Sequence, residues 1–118
     1  MSEQGVKHDG GKLPWHLFPW DAGAAVVRVL QFGARKYADR NWEKGIPHSR
    51  TFSATIRHLT AWHEGEDNDP ETGESHLAHA VCEVLFALAF ELRGRADLDD
   101  RPKRAALQTH PPPAAGAA

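Results

Sequence analysis

SHLAHAVCEVLFALAFELRG, residues 75–94, is the stretch of sequence that decides the fold. Aliphatic residues recur in it at helical spacing and form one side of a helix predicted over about residues 74–93. These residues are Leu77, Val81, Val84, Leu85, Leu88 and Leu92. Cys82, Phe86 and Phe90 extend the apolar surface nearly all the way round. A helix this apolar is usually central and buried, so we expect the rest of the chain to pack around it.

Two further helices are predicted upstream of this segment. The first runs from Asp21, a good N-cap residue, to about Ala38. The second runs from about Ser49 or Thr51 to His63, with apolar residues at helical spacing. No strand-like alternation is long enough to compete with these helices. We therefore predict an all-α fold, a small helical bundle of about three main helices.

The two ends of the chain differ from the helical part. Paired glycines and two prolines exclude a long helix from residues 1–20, which we expect to form an ordered loop that buries its aromatic side chains. Residues 97–118, which end in PPPAAGAA, are typical of a disordered tail. The predicted domain is therefore 1–96, followed by the tail.

Length and composition indicate one intracellular domain. The chain has 118 residues, which suits one domain and not two. Its single cysteine, Cys82, rules out an internal disulfide and fits a reducing cytoplasm. No apolar run approaches the roughly 20 residues that cross a bilayer, so no membrane partner is expected. Three helices bury only a modest core, which favours a homo-oligomer.

The charge distribution argues against a nucleic-acid partner. The formal net charge is −2, from 14 basic and 16 acidic residues. Three of the basic residues lie beyond position 100 and none of the acidic ones does, so residues 1–100 carry a net charge of −5. Nucleic-acid binding depends on neutralising phosphates, which an acidic surface does poorly. If the protein binds phosphates, we expect it to do so through a metal ion.

Negative charge is concentrated between the second and third predicted helices. HEGEDNDPETGESHLAHA, residues 63–80, holds six carboxylates and three histidines but no lysine or arginine. Between Arg57 and Arg93 there is no basic side chain, against eight Asp or Glu residues. Like charges this close repel one another unless a cation lies among them. The alternative is a loop whose charges are solvated at the surface.

A polar stripe interrupts the apolar third helix. His76, His79 and Glu83 fall on one face of it. Burying these groups costs several kcal/mol in total unless each has a partner. A divalent cation is one such partner, since histidine and carboxylate are common metal ligands. The alternative is that the groups hydrogen-bond one another across a dimer interface.

Three blocks of the sequence resemble a known family. They are DGGKLPWHLFPWDA, VLQFGARKYADRNWEKG and IRHLTAWHEGEDNDPETGESHLAHAVCEVLFAL, and together they span about residues 7–92. The chain resembles the dATP/dGTP diphosphohydrolase N-terminal domain family. That family is common in phages and is related to the all-α, MazG-like nucleoside triphosphate pyrophosphohydrolases. The patterns RHLxAW, GExxD and HLAHA are the most specific part of the resemblance.

The resemblance implies a reaction and a cofactor. Water would hydrolyse a deoxynucleoside triphosphate, dATP or dGTP, to the monophosphate and pyrophosphate, with Mg²⁺ or Mn²⁺ bridging the phosphates. For a phage protein, the compartment would be the host cytoplasm. The chain departs from the wider MazG-like pattern because its second helix lacks an ExxE motif. In CEVLFAL, Glu83 stands where that pattern has an aspartate.

These considerations define three sets of candidate site residues. The candidate metal ligands are Glu66, Asp69, His76 and His79, with His58 and Glu83 in support. The candidate catalytic residues, one of which would act as general base, are Asp67 and Glu66. The candidate substrate-binding residues are Lys12, Lys36, Tyr37, Asn41, Trp42 and Arg57. Two of these have equally plausible structural roles, Arg57 in a surface ion pair and Trp42 as a loop anchor.

Two other functions remain open at the level of sequence. The histidine-rich helices also suit an HD-like metal phosphohydrolase, which would release orthophosphate instead of pyrophosphate. The missing ExxE motif also suits a non-catalytic module that binds a nucleotide without turnover.

Overall fold

The computed structural model of the protein describes residues 3–102. Its three α-helices are α1 (Trp20–Lys36), α2 (His48–His63) and α3 (His76–Leu92). Short 3₁₀ helices cover Trp15–Leu17, Asn41–Lys44 and Ala96–Leu98. Over this range the β-type pairing is limited to one isolated bridge between Asn68 and Ser75, which confirms the all-α prediction. None of these helices has the length and apolarity to cross a membrane.

Helix α3 begins and ends at residues suited to those positions. The Ser75 hydroxyl accepts a hydrogen bond from the N–H of Leu77 at 3.1 Å and so caps the first turn. Past the other end, Gly94 adopts φ +68°, a left-handed conformation that ends helices and that glycine accepts without strain. Both α1 and α2 pack against α3, so the prediction of a central third helix is confirmed.

The main core lies between α1 and α3. Val26 and Val29 of α1 pack against Ala78 and Cys82 of α3, and all four are nearly inaccessible to solvent. The small α3 residues let α1 approach closely. Burial raises the pKa of the Cys82 thiol to about 12, so the group stays neutral and acts as a small apolar residue.

A second cluster fastens the 3₁₀ helix Asn41–Lys44 to α3. The Trp42 ring stacks on Phe86 with the ring centroids 4.7 Å apart, and its centroid lies 5.7 Å from that of Phe90. Phe90 is 1% exposed, and the Arg93 guanidinium lies 5.3 Å from the centre of the Trp42 ring. Trp42 therefore anchors the connection between α1 and α2.

The aliphatic side of α3 is not buried by this chain. The side chains predicted to form it are 40–77% exposed: Leu77, Val81, Val84, Leu85, Leu88 and Leu92. The expectation of a helix buried all round is therefore wrong for the single chain. The reason is geometric: α1 packs on the surface that carries Ala78 and Cys82, and α2 meets α3 on the side of His76, so the aliphatic surface stays open.

The N-terminal segment also differs from expectation. Its aromatic residues do not enter the core, and Trp15 and Trp20 are 63% and 59% exposed. They contact one another instead: the Trp20 indole N–H donates to the Trp15 carbonyl at 3.1 Å, and the Phe18 ring meets the Trp20 ring edge-on at 4.8 Å. The predicted burial of these residues is wrong. Trp15 lies on a short turn before α1 and Trp20 is the first residue of α1, so both lie away from the places where the α-helices pack together.

The fold extends beyond the predicted boundary at residue 96. Arg95 and Asp97 form an ion pair at 2.9 Å, and the Asp100 carboxylate accepts the Ser49 N–H at 2.8 Å. That second contact satisfies a backbone donor in the first turn of α2. Residues 97–102 are therefore tied to the helices, although the sequence placed them in the tail. The remainder of the predicted tail, residues 103–118, lies outside the described residues.

Two neighbouring valines of α1 test the position of the core. Val26 is 8% exposed and Val27 is 60% exposed. Val26→Ala should lower the free energy of unfolding by about 2 kcal/mol, because it removes two buried methyl groups and leaves a cavity. Val27→Ala should change it by less than about 0.5 kcal/mol. Urea denaturation followed by circular dichroism measures both, and equal effects would contradict this packing.

Candidate metal centre

Asp69 organises the loop between α2 and α3. Its Oδ1 accepts hydrogen bonds from the backbone N–H groups of Glu71 at 2.9 Å and Thr72 at 3.1 Å. Its own N–H donates to the Glu74 carbonyl at 2.8 Å, and its carbonyl accepts the N–H of Gly73 at 2.7 Å. Aspartate stabilises turns by such side-chain bonds to the following backbone. The loop is therefore a defined turn that fixes the position of one carboxylate.

His76, the first residue of α3, is held from several sides. It is 4% exposed, and its backbone N–H donates to the Asp67 carbonyl at 2.9 Å. Its Nε2 lies 2.6 Å from Glu66 Oε1 and donates to it, because an ionised carboxylate can only accept. Its Nδ1 lies 2.9 Å from Nδ1 of His58 on α2. Both ring nitrogens of this buried imidazole thus have partners, as burial requires.

His58 and His79 complete a group of three imidazoles. Their rings stack nearly parallel, at 10°, with centroids 4.5 Å apart. His79 Nε2 lies 2.7 Å from the Thr72 hydroxyl. Burial, followed by repulsion from His79 and His76, lowers the pKa of His58 below its ordinary value. Burial also lowers the pKa of His79, although Asp69 opposes that shift. Both rings therefore favour the neutral form, in which imidazole binds metals.

Three of these residues converge as possible metal ligands. His58, Asp69 and His76 each offer one ligand atom, and those atoms lie within 4.8 Å of one another. Partial burial alone would raise the pKa of Asp69, but the Thr72 and Glu71 N–H donors, with His79 and His58, lower it. The carboxylate is therefore ionised near neutral pH. Two imidazole nitrogens and a carboxylate oxygen make a donor set that fits a divalent metal ion.

The other predicted ligands and catalytic residues lie around this group. Glu66 contacts Nε2 of His76, the ring nitrogen that points away from His58, and His79 stacks on His58. Asp67 is exposed at the loop surface, while its carbonyl holds the His76 N–H. Glu83 lies two turns further along α3, outside the group of converging atoms, and borders an open groove of about 1220 Å³ between α2 and α3. Burial raises the Glu83 pKa, and Arg57 opposes this shift.

Two predicted substrate-binding residues stand at the rim of the same loop. Lys36, the last residue of α1, has its ammonium 3.0 Å from Glu71, and the Glu71 carboxylate raises its pKa. The same ammonium lies 5.5 Å from the centre of the Tyr37 ring. Arg28 of α1 similarly pairs with Glu74 at 3.2 Å. The end of α1 is thereby tied to the loop that carries Asp69.

The remaining predicted substrate-binding residues are spread over the surface. Lys12 is exposed, and its N–H closes a turn onto the Asp9 carbonyl. Asn41 begins the 3₁₀ helix in which Trp42 is stacked on the core. Arg57 is exposed on α2 beside His58. The structure does not bring these four residues into the group formed by the histidines.

Sequence reasoning missed Thr72 and Arg28. The hydroxyl of Thr72 fixes the His79 ring and also accepts the Glu74 N–H at 3.1 Å. The run from Asp69 to Gly73 carried a usable signal, because aspartate, threonine and glycine at such spacing favour a turn closed by side chains. Arg28 had no local signal, since its partner Glu74 is 46 residues away in the chain.

Fold and site together define a small all-α domain in which a group of histidines and a carboxylate lies where α2, the following loop and α3 meet. The family model described as "dATP/dGTP diphosphohydrolase, N-terminal" matches residues 2–101 of the chain. The chain belongs to that family, as the resemblance in its sequence indicated.

One relative of the chain is longer than the chain itself. It is a protein of Salmonella phage PMBT28 named "dATP/dGTP diphosphohydrolase", 37% identical over 103 residues. The match covers 87% of this chain but 35% of the relative, so the chain spans about a third of the relative's length. No solved structure matches the chain.

Two substitutions of Asp69 distinguish its hydrogen bonds to the turn from its negative charge. Asp69→Ala should lower the free energy of unfolding by about 1–2 kcal/mol, because it leaves two backbone donors without their acceptor. Asp69→Asn should cost less than half as much, since the amide oxygen still accepts. Asp67→Ala, at an exposed aspartate two positions earlier, is the control and should be nearly neutral. Urea denaturation in EDTA measures all three, and an Asn variant as unstable as the Ala variant would refute the turn assignment.

Proposed function

We propose that the protein hydrolyses deoxynucleoside triphosphates, dATP or dGTP, to the monophosphate and pyrophosphate with a divalent metal ion. The convergence of His58, Asp69 and His76 carries this proposal, because it offers a cation site on an acidic protein that must approach an anionic substrate. Membership of the family and the printed name of the phage relative support the substrate class. The acidic surface favours a free nucleotide over a nucleic acid, and the cytoplasm is where such nucleotides are found.

The proposed reaction has a simple balance. The oxygen of a water molecule forms a bond to the α-phosphorus, and the bond from that phosphorus to the α–β bridging oxygen breaks. Pyrophosphate leaves with the bonding electrons, and the proton of the water passes to a base. A bound cation, Mg²⁺ or Mn²⁺ by the family resemblance, would supply Lewis acidity and neutralise the developing phosphate charge.

The residues of the loop and of the two helices beside it take distinct roles in this proposal. His58, Asp69 and His76 would hold the cation, and His79 would support His58 through its stacked ring. Asp67 is the better candidate for the base, because its carboxylate faces solvent whereas that of Glu66 is engaged by His76. Glu83 would act from the adjoining groove. These assignments place the proposed chemistry where α2, the following loop and α3 meet.

The positively charged side chains nearest the loop are the ones proposed to contact the phosphates of the substrate. Lys36 would exchange Glu71 for a phosphate, and Arg57 would approach from α2, with Lys12 reaching in from the N-terminal segment. Asn41 and Tyr37 remain candidates for base contacts. Both faces of the Trp42 ring have neighbours, Phe86 and the Arg93 guanidinium, and this favours an anchoring role over base stacking.

A product assay tests the proposed reaction. The protein, incubated with each deoxynucleoside triphosphate and Mg²⁺ or Mn²⁺, should release monophosphate and pyrophosphate from dATP or dGTP, as resolved by ³¹P NMR. Asp69→Asn should lower kcat/KM by at least about 100-fold, because the cation loses an anionic ligand. Glu64→Gln, at an exposed carboxylate that ends α2, is the matched control and should retain activity.

The same assay separates the rival functions. Orthophosphate as the released product would replace this proposal with an HD-like phosphohydrolase. Binding of dATP or dGTP without any turnover, measured by calorimetry with each metal present, would replace it with a non-catalytic module. Turnover unchanged in Asp69→Asn would show that the reaction occurs elsewhere.

We also propose that the protein self-associates through the open face of α2 and α3. Phe52, Ile56 and Leu59 of α2 continue the aliphatic surface of α3, and each is 39–67% exposed. A face two helices wide and about 25 Å long is the size that a stable dimer requires, roughly 800 Å² per partner. Because the exposed residues named here are all apolar, a second copy related by a two-fold axis presents a matching surface to them.

One substitution tests the self-association. Leu88→Glu should shift the protein from twice its chain mass to the monomer mass of 13.0 kDa, because the carboxylate cannot be buried against an apolar partner. Val27→Glu, at an exposed valine on α1, should leave the mass unchanged. Light scattering coupled to size-exclusion chromatography gives the masses. A wild-type protein that is monomeric at every concentration tested would overturn this part of the proposal.

A further inference from the structure

The charges around the histidines are compensated unevenly. Glu71 and Glu74 pair with Lys36 and Arg28, so the outer part of the loop is neutralised by α1. Asp69 and its neighbours Glu66 and Asp67 have no Lys or Arg nitrogen within 4.0 Å among residues 3–102. Negative charge that no Lys or Arg neutralises therefore remains at Glu66 and Asp69, beside the imidazoles, and at Asp67 on the loop surface.

The donor atoms discriminate between classes of divalent cation. Mg²⁺ prefers an octahedron of oxygen atoms and gives up its waters reluctantly. Imidazole nitrogen suits the borderline transition metals, such as Fe²⁺, Co²⁺ and Zn²⁺. Two of the three converging residues, His58 and His76, offer nitrogen, whereas Asp69 alone offers oxygen. The centre is therefore better suited to a transition-metal ion than to Mg²⁺.

The spacing of the two imidazoles agrees with a shared ion. The Nδ1 atoms of His58 and His76 lie 2.9 Å apart. Two nitrogen ligands bound at about 2.0–2.1 Å and at right angles to one another are about 3 Å apart. In the metal-free protein, one of these nitrogens must donate a proton to the other. A cation bound by both nitrogens would take the place of that proton.

Glu66 prepares His76 for this role. Because the Glu66 carboxylate accepts from Nε2–H at 2.6 Å, the neutral His76 ring carries its proton on Nε2 and its lone pair on Nδ1. Nδ1 is the nitrogen that faces His58. A carboxylate behind a ligating histidine sets its tautomer and raises its basicity, and losing it typically costs 10- to 100-fold in metal affinity.

We propose that His58, Asp69 and His76 form a centre that selects a divalent transition-metal ion over Mg²⁺, with Glu66 as its positioning residue. This inference deepens the proposed function, on which it rests for the use to which the ion is put. It differs from that function in naming the class of metal, the ligating nitrogen of His76 and the residue that sets its tautomer.

Metal titration without nucleotide tests the centre directly. Co²⁺ added to the metal-free protein should give a visible ligand-field absorption that saturates at one ion per chain. Calorimetry with Co²⁺, Zn²⁺ and Mg²⁺ should show the two transition metals binding at least about 100-fold more tightly than Mg²⁺. Mg²⁺ binding as tightly as Co²⁺, or no saturable Co²⁺ band, would overturn the proposal, and the second result would make the histidines a purely structural cluster.

Matched variants identify the ligands and the role of Glu66. His58→Asn should abolish the saturable Co²⁺ band, whereas His63→Asn, at an exposed histidine on the same helix, should leave it intact. Glu66→Ala should raise the Co²⁺ dissociation constant by about 10- to 100-fold, and Glu66→Gln should recover part of that loss because the amide oxygen still accepts. Glu64→Gln is the control for charge. Urea denaturation of each variant shows whether it is folded, and folded His58→Asn with unchanged Co²⁺ binding would refute the ligand set.

The outcomes separate this inference from the proposed reaction. Saturable Co²⁺ binding that depends on His58, without hydrolysis of any deoxynucleoside triphosphate, would reject the reaction and keep the metal centre. Full hydrolysis by folded His58→Asn with Mg²⁺ as the sole metal would keep the reaction and reject the centre.

Discussion

The buried imidazole of His76 is the constraint around which the rest of the site is arranged. A histidine in the first turn of a central helix needs a partner for each ring nitrogen, since an unsatisfied buried polar group costs about 1–3 kcal/mol. Glu66 meets one requirement from the loop, and His58 meets the other from α2. These two contacts hold α2, the loop and α3 in one register. They also bring Asp69 close to both imidazoles.

The loop and the helices support one another in this arrangement. Asp69 fixes the turn through two backbone N–H groups, and that turn sets the Thr72 hydroxyl against His79. Helix α1 adds two ion pairs, from Arg28 and Lys36, that reach the outer side of the same loop. The site is therefore built on a short loop that is tied at both ends to helices and on one side to a third helix. Such anchoring fixes the positions of the histidine and carboxylate side chains.

The apolar surface of α3 shows that a sequence pattern can identify a central helix correctly without showing which sides of that helix are buried. Its aliphatic residues correctly predicted a helix at the centre of the bundle. They did not reveal that α1 covers the small side chains, Ala78 and Cys82, while Val84 and Leu88 stay open. The prediction that the N-terminal aromatic residues are buried was wrong for the same reason. Apolar composition indicates that side chains favour burial, but it does not show which surface of the protein they pack against.

The sequence by itself determined the three helices, the acidic loop and the family, because each is encoded in local periodicity, capping residues or contiguous motifs. His58, Asp69 and His76, which the structure brings together, were all among the candidates that the sequence offered. Only the tertiary structure decided which of them meet. Helical spacing placed His79 and Glu83 on one face with His76, yet the crossing of α2 over α3 set His58 beside His76 and left Glu83 at the groove. That choice depends on contacts between residues 18 positions apart in the chain, which no local pattern records.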